Sequence, residues 1–308
     1  MNPMKSSSPG QRLEQAIQYG RNRKYAQAAA LLEGLITEAD PPPSALLYLG
    51  RSYHALGEYP RAISTLRSYI RTGDSGEEGY FFLGRSYLAL NLYSRALWAF
   101  QKSLEINENS QAALTYLAYT LLKRGDISSA LTCFEKAVEG DPEDQQLYAG
   151  YMNTLFLQGI REFQQGNLEL ARDRLSFIED KGGDSLLLHL YLGILEREVG
   201  SLSKALDHYG KAIKLRPEDP SIRFQHAEVM LLSNRPDEAY RELTYLVEQS
   251  GTSIPVEDLP SLHRLLASIL FEKAQYRRAI FFAVKVLKET ADPDMHLLIG
   301  EGYRHLEA

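Results

Sequence analysis

A spacing of 34 residues recurs along the chain and constrains its fold more than any other feature of the sequence. Alanine marks this spacing, with longer steps after the fourth and seventh copies. The marking residues are Ala28, Ala62, Ala96, Ala130, Ala171, Ala205, Ala239 and Ala279. A unit of this length cannot bury its apolar face alone, so each unit must stack on its neighbours. The sequence therefore predicts one continuous series of stacked units and not two globular lobes.

Within each unit the apolar residues recur at the spacing of an α-helix. Leu46, Leu49, Gly50 and Tyr53 fall at i, i+3, i+4 and i+7, which is typical of one face of an amphipathic helix. A glycine then supplies the positive φ at which the first helix ends, and a second helix carries the alanine. The turn glycines are Gly57, Gly125, Gly166 and Gly200. Few runs alternate apolar β-branched residues, so we predict an all-α fold without a sheet.

These units resemble the tetratricopeptide repeat (TPR), whose first helix carries Leu-Gly and Tyr and whose second helix carries Ala and a bulky residue. The matching residues are Leu49, Gly50, Tyr53, Ala62 and Leu66; Leu83, Gly84, Tyr87, Ala96 and Phe100; and Leu192, Gly193, Ala205, Tyr209, Ala212 and Pro217. The resemblance covers nearly all of residues 9–293. It implies a right-handed superhelix (α-solenoid) of about eight helix–turn–helix repeats followed by a single C-terminal helix.

The phase of the repeats divides the chain into segments. The predicted segments are a disordered N-terminus at 1–8, repeats one to four at 9–144, a helix-extending insertion at 145–151, repeats five to seven at 152–253, a loop at 254–259, repeat eight at 260–293 and a capping or partial-repeat helix at 294–308. The insertion predicts a long helix over roughly 145–165, because seven residues are two helical turns. The apolar residues of the last segment spread over more than one face, which predicts a self-association or partner surface, or a chain cut from a longer protein.

Composition and motifs exclude several classes of function. The net charge of −6 argues against a general nucleic-acid binder, and no apolar window is long enough to cross a membrane. The single cysteine, Cys133, excludes an internal disulfide, and the N-terminus lacks a signal peptide, so we expect a cytoplasmic protein. No phosphate-binding loop, nucleophile elbow or zinc-protease motif occurs, so we expect no catalytic residue, cofactor or metal. His189, His263 and His296 recur at one repeat position and are interpreted as packing residues, because the histidines show no ligand spacing.

The TPR resemblance implies that the first helices of successive repeats line a concave groove that binds a partner. The groove positions that it implies are Leu47, Arg51, His54, Phe81, Arg85, Leu88, Tyr119, Leu122, Phe156, Ile160, Phe163, Leu190, Ile194 and Phe224. By this resemblance the groove is aromatic and aliphatic with few charges. Exposed apolar surface of that extent usually marks an interaction site.

Arg51 and Arg85 occupy the same position in consecutive repeats. Two guanidinium groups over Phe81 and Tyr119 would suit a carboxylate or an acidic peptide. The alternative is that each arginine forms an ion pair inside the repeats, for instance with Glu58 or Glu78. The lysine and asparagine pattern of the TPR subclass that binds chaperone tails is absent. Residues 1–72 carry nine Lys and Arg against five Asp and Glu, so this end of the chain is basic.

Two functions follow from the sequence. The first is a non-catalytic protein-interaction scaffold or adaptor that binds a partner helix or peptide in the groove. The alternative is a substrate-selecting TPR arm, or a fragment, of a larger enzyme such as a glycosyltransferase. The predicted partner is a protein or peptide of unknown identity, with no nucleic acid and no membrane. An RNA-binding helical repeat is disfavoured because it needs basic inner positions.

Overall fold

The computed structural model describes residues 8–39, 41–73, 76–249 and 259–307 of the 308-residue chain. These ranges contain seventeen α-helices and no β-strand, which confirms the predicted all-α fold. None of the described helices has both the length and the apolar composition that a membrane span requires. The predicted disordered segment 1–8 and the predicted loop 254–259 lie outside the described residues, except for Ser8 and Leu259.

Contacts between helices divide the chain into two compact units, an N-terminal unit of Met1–Gln158 and a C-terminal unit of Gly159–Ala308. The N-terminal unit begins with eight helices: α1 (Pro9–Arg21), α2 (Tyr25–Ile36), α3 (Pro43–Ala55), α4 (Tyr59–Arg71), α5 (Glu77–Ala89), α6 (Tyr93–Ile106), α7 (Gln111–Lys123) and α8 (Ile127–Gly140). They pack as consecutive antiparallel pairs, α1 with α2 through α7 with α8. Each pair is one helix–turn–helix repeat.

The division between the units falls inside α9 (Gln145–Gln164), which has 20 residues. The C-terminal unit continues with α10 (Leu168–Asp180), α11 (Leu186–Glu198), α12 (Leu202–Leu215), α13 (Pro220–Leu232), α14 (Pro236–Gln249), α15 (Leu259–Glu272), α16 (Tyr276–Leu287) and α17 (Pro293–Glu307). Here α11 packs with α12, α13 with α14, and α15 with α16, and α17 packs on α16.

The turn inside each repeat places one residue in the left-handed region of backbone space. Gly57, Gly125, Gly166 and Gly200 have φ of 79° to 80°, which confirms the predicted turn glycines. In the other repeats the equivalent residues are not glycine but Arg23, Asn91, Asn234 and Ala274, with φ of 57° to 58°. Asparagine tolerates this conformation, whereas for arginine and alanine it costs about 1 kcal/mol of conformational energy. The turn geometry is therefore kept even where the sequence signal for it is lost.

Side chains at the helix starts satisfy backbone groups that the helices leave without partners. Ser8 forms a capping box with Gln11, in which its hydroxyl accepts from the Gln11 amide and the Gln11 side chain accepts from the Ser8 amide. Ser110 and Ser185 accept in the same way from amides three residues later. These caps begin α1, α7 and α11 at fixed residues and so hold the register of the repeats.

Small residues let the two helices of a repeat come close together. Gly84 faces Phe100, and a Cβ atom added at Gly84 would lie 2.7 Å from the Phe100 ring. Gly193 faces Tyr209 in the same way, with the nearest ring atoms at 3.1 Å. Phe100 and Tyr209 are fully buried, as are the alanines that mark the repeat. The recurring Gly, Ala and bulky residue are thus the core of each helix pair.

Candidate functional site

A cleft of about 770 Å³ opens between the first helices of the first three repeats, α1, α3 and α5. Its polar wall contains three arginines, a histidine and one carboxylate. These residues are Arg21, Arg51, Arg85, His54 and Glu78. Tyr25, Tyr48 and Phe82 give it an aromatic wall. The cleft therefore combines excess positive charge with aromatic surface.

Arginine and aromatic side chains alternate along this wall. The Arg51 guanidinium carbon lies 5.3 Å from the centroid of the Tyr48 ring and 4.7 Å from that of Phe82. The Arg85 guanidinium carbon lies 5.4 Å from the Phe82 centroid and 5.0 Å from that of Tyr116. We call these five residues the arginine–aromatic ladder. Cation–π contacts of this kind hold each guanidinium group over a ring while leaving its N–H donors available.

The two arginines of the ladder differ in their charged partners. Arg51 donates from Nη1 to Glu78 Oε2 at 3.0 Å, in an exposed ion pair. For Arg85 the equivalent position one repeat later is Ala112. Within the described ranges no carboxylate lies within 4 Å of the Arg85 guanidinium group. Of the two alternatives from the sequence, the internal ion pair holds for Arg51, and among the described residues Arg85 has no such pair.

His54 lies beside the ladder and is a neutral group. Its Nδ1 is 3.0 Å from Ser86 Oγ, and that hydroxyl donates to the Phe82 carbonyl at 2.8 Å. Because a serine hydroxyl has one proton, Nδ1–H of His54 donates to Oγ. Burial, and then the positive charge of Arg85, lower the pKa of His54 to about 4. The positive charge of the cleft at neutral pH therefore comes from its arginines.

Three of the predicted groove residues, Arg51, His54 and Arg85, lie in the wall of this cleft. Leu47 does not, and its prediction is wrong: only 7% of it is exposed, because its side chain packs in the core of the N-terminal unit. A residue at that position cannot contact a partner without unpacking the helix pair. The face of α3 that borders the cleft carries Tyr48 instead.

The remaining predicted residues of the N-terminal unit are mainly packing residues. Phe81 and Leu88 are half-buried against the core, and Leu122 is half-buried against the cluster around Phe134. Tyr119 is 41% exposed, and its ring packs edge-on against Phe134 with the centroids 5.2 Å apart. The expectation that an arginine lies over Tyr119 is wrong, because Arg85 stacks on Tyr116.

The predicted groove residues of the C-terminal unit and of α9 are also half-buried. Leu190 and Ile194 pack against the cluster around Tyr209, and Phe224 packs against the cluster around Leu243. Phe163 contacts Tyr191 edge-on, with the centroids 6.2 Å apart. Phe156 and Ile160 are half-buried on α9. Each of these residues thus keeps part of its surface exposed, and their place in a groove stays a prediction.

Reasoning from the sequence missed the aromatic half of the ladder. Tyr48, Phe82 and Tyr116 recur at the repeat spacing, each three residues before the Arg51 position or its equivalent. That recurrence is a signal, since residues three apart share a helix face and the side chain of the next repeat lies alongside. The prediction placed the groove one residue earlier, at Leu47 and Phe81.

The last helix, α17, packs on the C-terminal unit through Met295, Leu298 and Gly302. Its other side carries exposed Leu297 and Tyr303, with 61% and 55% of each residue accessible. His296, expected to pack between helices, is also exposed, and its Nδ1 contacts the Asp292 carbonyl at 3.0 Å. Self-association through this helix stays a prediction.

Comparisons with known families agree with the repeat geometry. One Tetratricopeptide repeat family model matches residues 87–252, which is more than half of the chain, and a second matches residues 13–77. The chain belongs to the tetratricopeptide repeat family. TPR chains generally act as protein-interaction scaffolds. No curated protein matches this sequence.

Several solved structures are similar to this TPR chain at low sequence identity. The Naa15/Naa10 structure bound to HypK-THB is 15% identical with a TM-score of 0.61, covering 94% of this chain and 44% of that one. A tetratricopeptide repeat protein from Parabacteroides merdae is 16% identical with a TM-score of 0.43, covering 85% of this chain and 98% of its own. YrrB, a TPR protein with an unusual peptide-binding site, is 20% identical with a TM-score of 0.48, covering 66% and 98%.

Proposed function

We propose that this TPR chain is a non-catalytic interaction module that binds an acidic, partly apolar segment of a partner protein in the N-terminal cleft. The observation that carries the proposal is Arg85, whose guanidinium group is held over aromatic rings without a carboxylate from the described residues. A cation in that position has unused donors for an incoming carboxylate.

Charge and volume both favour a peptide of this chemistry. Arg21, Arg51 and Arg85 outnumber the single carboxylate of the wall, Glu78. A cleft of about 770 Å³ lies within the range of roughly 300–1,000 Å³ typical of ligand sites, which suits a short stretch of peptide side chains. The carboxylates of the segment would pair with the arginines, and its apolar side chains would contact Tyr25, Tyr48 and Phe82. The arrangement supports binding and offers no activated nucleophile.

A charge-matched binding experiment tests this proposal. The probe is a fluorescein-labelled peptide in which Glu alternates with Leu, and its counterpart carries Lys for Glu. Anisotropy titrations with the full chain are expected to show binding of the Glu peptide alone, weakening as salt rises. Arg85→Gln removes a charge-assisted contact and should weaken binding about tenfold or more.

Arg95→Gln is the matched control. It removes the same charge from the same unit. Arg95, however, lies on α6, over the ring of Tyr87, and does not line the cleft. Wild-type affinity in this variant and reduced affinity in Arg85→Gln would support the cleft. Equal loss in both variants would mean that net charge alone drives binding, and the site proposal would fail. If labelled oligouridylate binds more tightly than the Glu peptide, the ligand of the cleft is RNA and the proposal of a protein partner is wrong.

A further inference from the structure

Two buried histidines and a glutamate meet in the C-terminal unit. Glu179 lies near the end of α10, His189 lies on α11 and His208 lies on α12. The histidines are 2% and 7% exposed, and their rings stack with centroids 5.8 Å apart. The expectation that the histidines do not cluster is wrong for this pair, because three separate helices bring these residues together.

The atoms that converge are ones that ligate metal ions. His189 Nδ1 lies 3.8 Å and His208 Nδ1 lies 3.7 Å from the same oxygen, Glu179 Oε1. All three ligand atoms lie within 4.8 Å of one another. Tetrahedral zinc, with bonds of about 2.0–2.2 Å, separates its ligand atoms by roughly 3.3–3.6 Å. The two sides that join the Nδ1 atoms to Glu179 Oε1 therefore need to shorten by only about 0.5 Å or less to reach zinc geometry.

The carboxylate of Asp184 sets the orientation and tautomer of His189. Asp184 Oδ1 lies 2.8 Å from His189 Nε2 and can only accept, so Nε2 carries a proton. In neutral His189 the lone pair is then on Nδ1, which points at Glu179. Histidines that bind metals usually donate their other ring N–H to a carboxylate in this way. The loop between α10 and α11 thus supplies the outer partner that a metal site requires.

Both Nδ1 atoms are buried without a hydrogen-bond partner among the described residues. Buried polar atoms without partners are rare in folded proteins and call for a specific explanation. His263 in the same unit has a buried Nδ1 of the same kind, but among the described residues it belongs to no group of three metal-ligating side chains. The distinguishing feature of the Glu179 group is therefore convergence of three ligand atoms and not burial alone.

Lys211 is the group with which a metal ion would compete. Its Nζ lies 2.9 Å from Glu179 Oε1 and 2.9 Å from Asp207 Oδ2. The lysine neutralises Glu179 in the structure, and Asp207 offers it a second partner on the surface. Because the Lys211 side chain is 40% exposed, it can turn to Asp207 when another cation takes its place.

We propose that Glu179, His189 and His208 bind one Zn²⁺ ion, with water as the fourth ligand. Two imidazoles and one carboxylate are a ligand set that zinc favours among the common divalent cations. The ion would join α10 of one repeat to α11 and α12 of the next. Repeat proteins are stabilised mainly by contacts between neighbouring repeats, so an ion at this junction would act as a clip between them.

The test uses the full chain purified without a histidine tag and dialysed against a chelator. Zn²⁺ is then added, and metal content and thermal unfolding are measured. We expect one bound ion per chain and a rise in Tm of about 5 °C at a hundredfold excess over Kd. Co²⁺ in place of Zn²⁺ should give the visible absorption of a tetrahedral site.

The variants separate this site from adventitious binding. His208→Gln should lose the Tm rise and the Co²⁺ absorption, whereas His263→Gln, a control at another buried histidine, should keep both. Asp184→Asn should retain the ion with an affinity about ten- to hundredfold lower. Circular dichroism of each metal-free variant shows whether it folds. No Tm rise in the wild type, or equal zinc binding by folded His208→Gln, would overturn the proposal.

Discussion

The first helices of the two units place different side chains at the same repeat position. In the second and third repeats of the N-terminal unit this position holds Arg51 and Arg85, which extend over aromatic rings at the cleft. In the C-terminal unit it holds Ile194, which packs against the core around Tyr209, and Glu228. Glu228 lies 3.7 Å from Arg197 of the preceding repeat. The N-terminal unit therefore presents positive charge, whereas at this position the C-terminal unit uses apolar packing and an internal ion pair.

This difference indicates that the packing between paired helices and the exposed surface of the repeats are specified by separate residues. The packing depends on the residues between paired helices, such as Gly84 against Phe100 and Gly193 against Tyr209. The surface depends on residues that those contacts leave unconstrained, so one substitution per repeat changes its charge. Ala112 stands where a counterpart of Glu78 would lie, and no carboxylate of the described residues pairs with Arg85.

The largest expected effect tests whether the packing between paired helices is the same in both units. Phe100→Ala and Tyr209→Ala remove equivalent, fully buried rings, so each should lower the free energy of unfolding by about 3–5 kcal/mol. Urea denaturation measures this loss, with circular dichroism for the whole chain and fluorescence of Trp98, the single tryptophan, for the N-terminal unit. Leu297→Ala, at an exposed site, should change stability by less than about 0.5 kcal/mol. A loss of stability in only one of the two variants would contradict the view that both units use the same packing between paired helices.

A smaller effect concerns His54 in the N-terminal cleft. Its pKa is about 4 when folded, against about 6.5 when unfolded, so between these values the unfolded chain binds more protons. Stability should therefore fall as pH drops from 6.5 towards 4 and should not depend on this group above 6.5. Because the ring is partly exposed, we expect a loss of about 1–2 kcal/mol. Urea unfolding of the wild type and of His54→Gln from pH 7.5 to 5 measures this loss. If the free energy of unfolding of both proteins falls equally with pH, the prediction is wrong.

Sequence reasoning succeeded where one position repeats and failed where several elements meet. The recurring alanines and turn glycines predicted the helix pairs, because packing between paired helices is the same in every repeat. Arg51 and Arg85 lie in the cleft wall, whereas Leu47 is buried, since a shift of one residue along a helix moves a side chain from the surface to the core. The Glu179, His189 and His208 group has no characteristic spacing, because its members come from three helices.

The smallest expected effect sharpens the contrast between Arg51 and Arg85. Glu78→Gln removes the partner of Arg51, so both ladder arginines would then be open to the acidic peptide. The ion pair is exposed and worth about 0.2–1 kcal/mol, so affinity should rise by no more than about fivefold. Glu78→Gln introduced into the Arg51→Gln variant should raise the affinity much less, because that variant has no guanidinium group at position 51 to release. Anisotropy titrations of the two backgrounds measure the difference, and an equal rise in both would assign it to overall charge and not to Arg51.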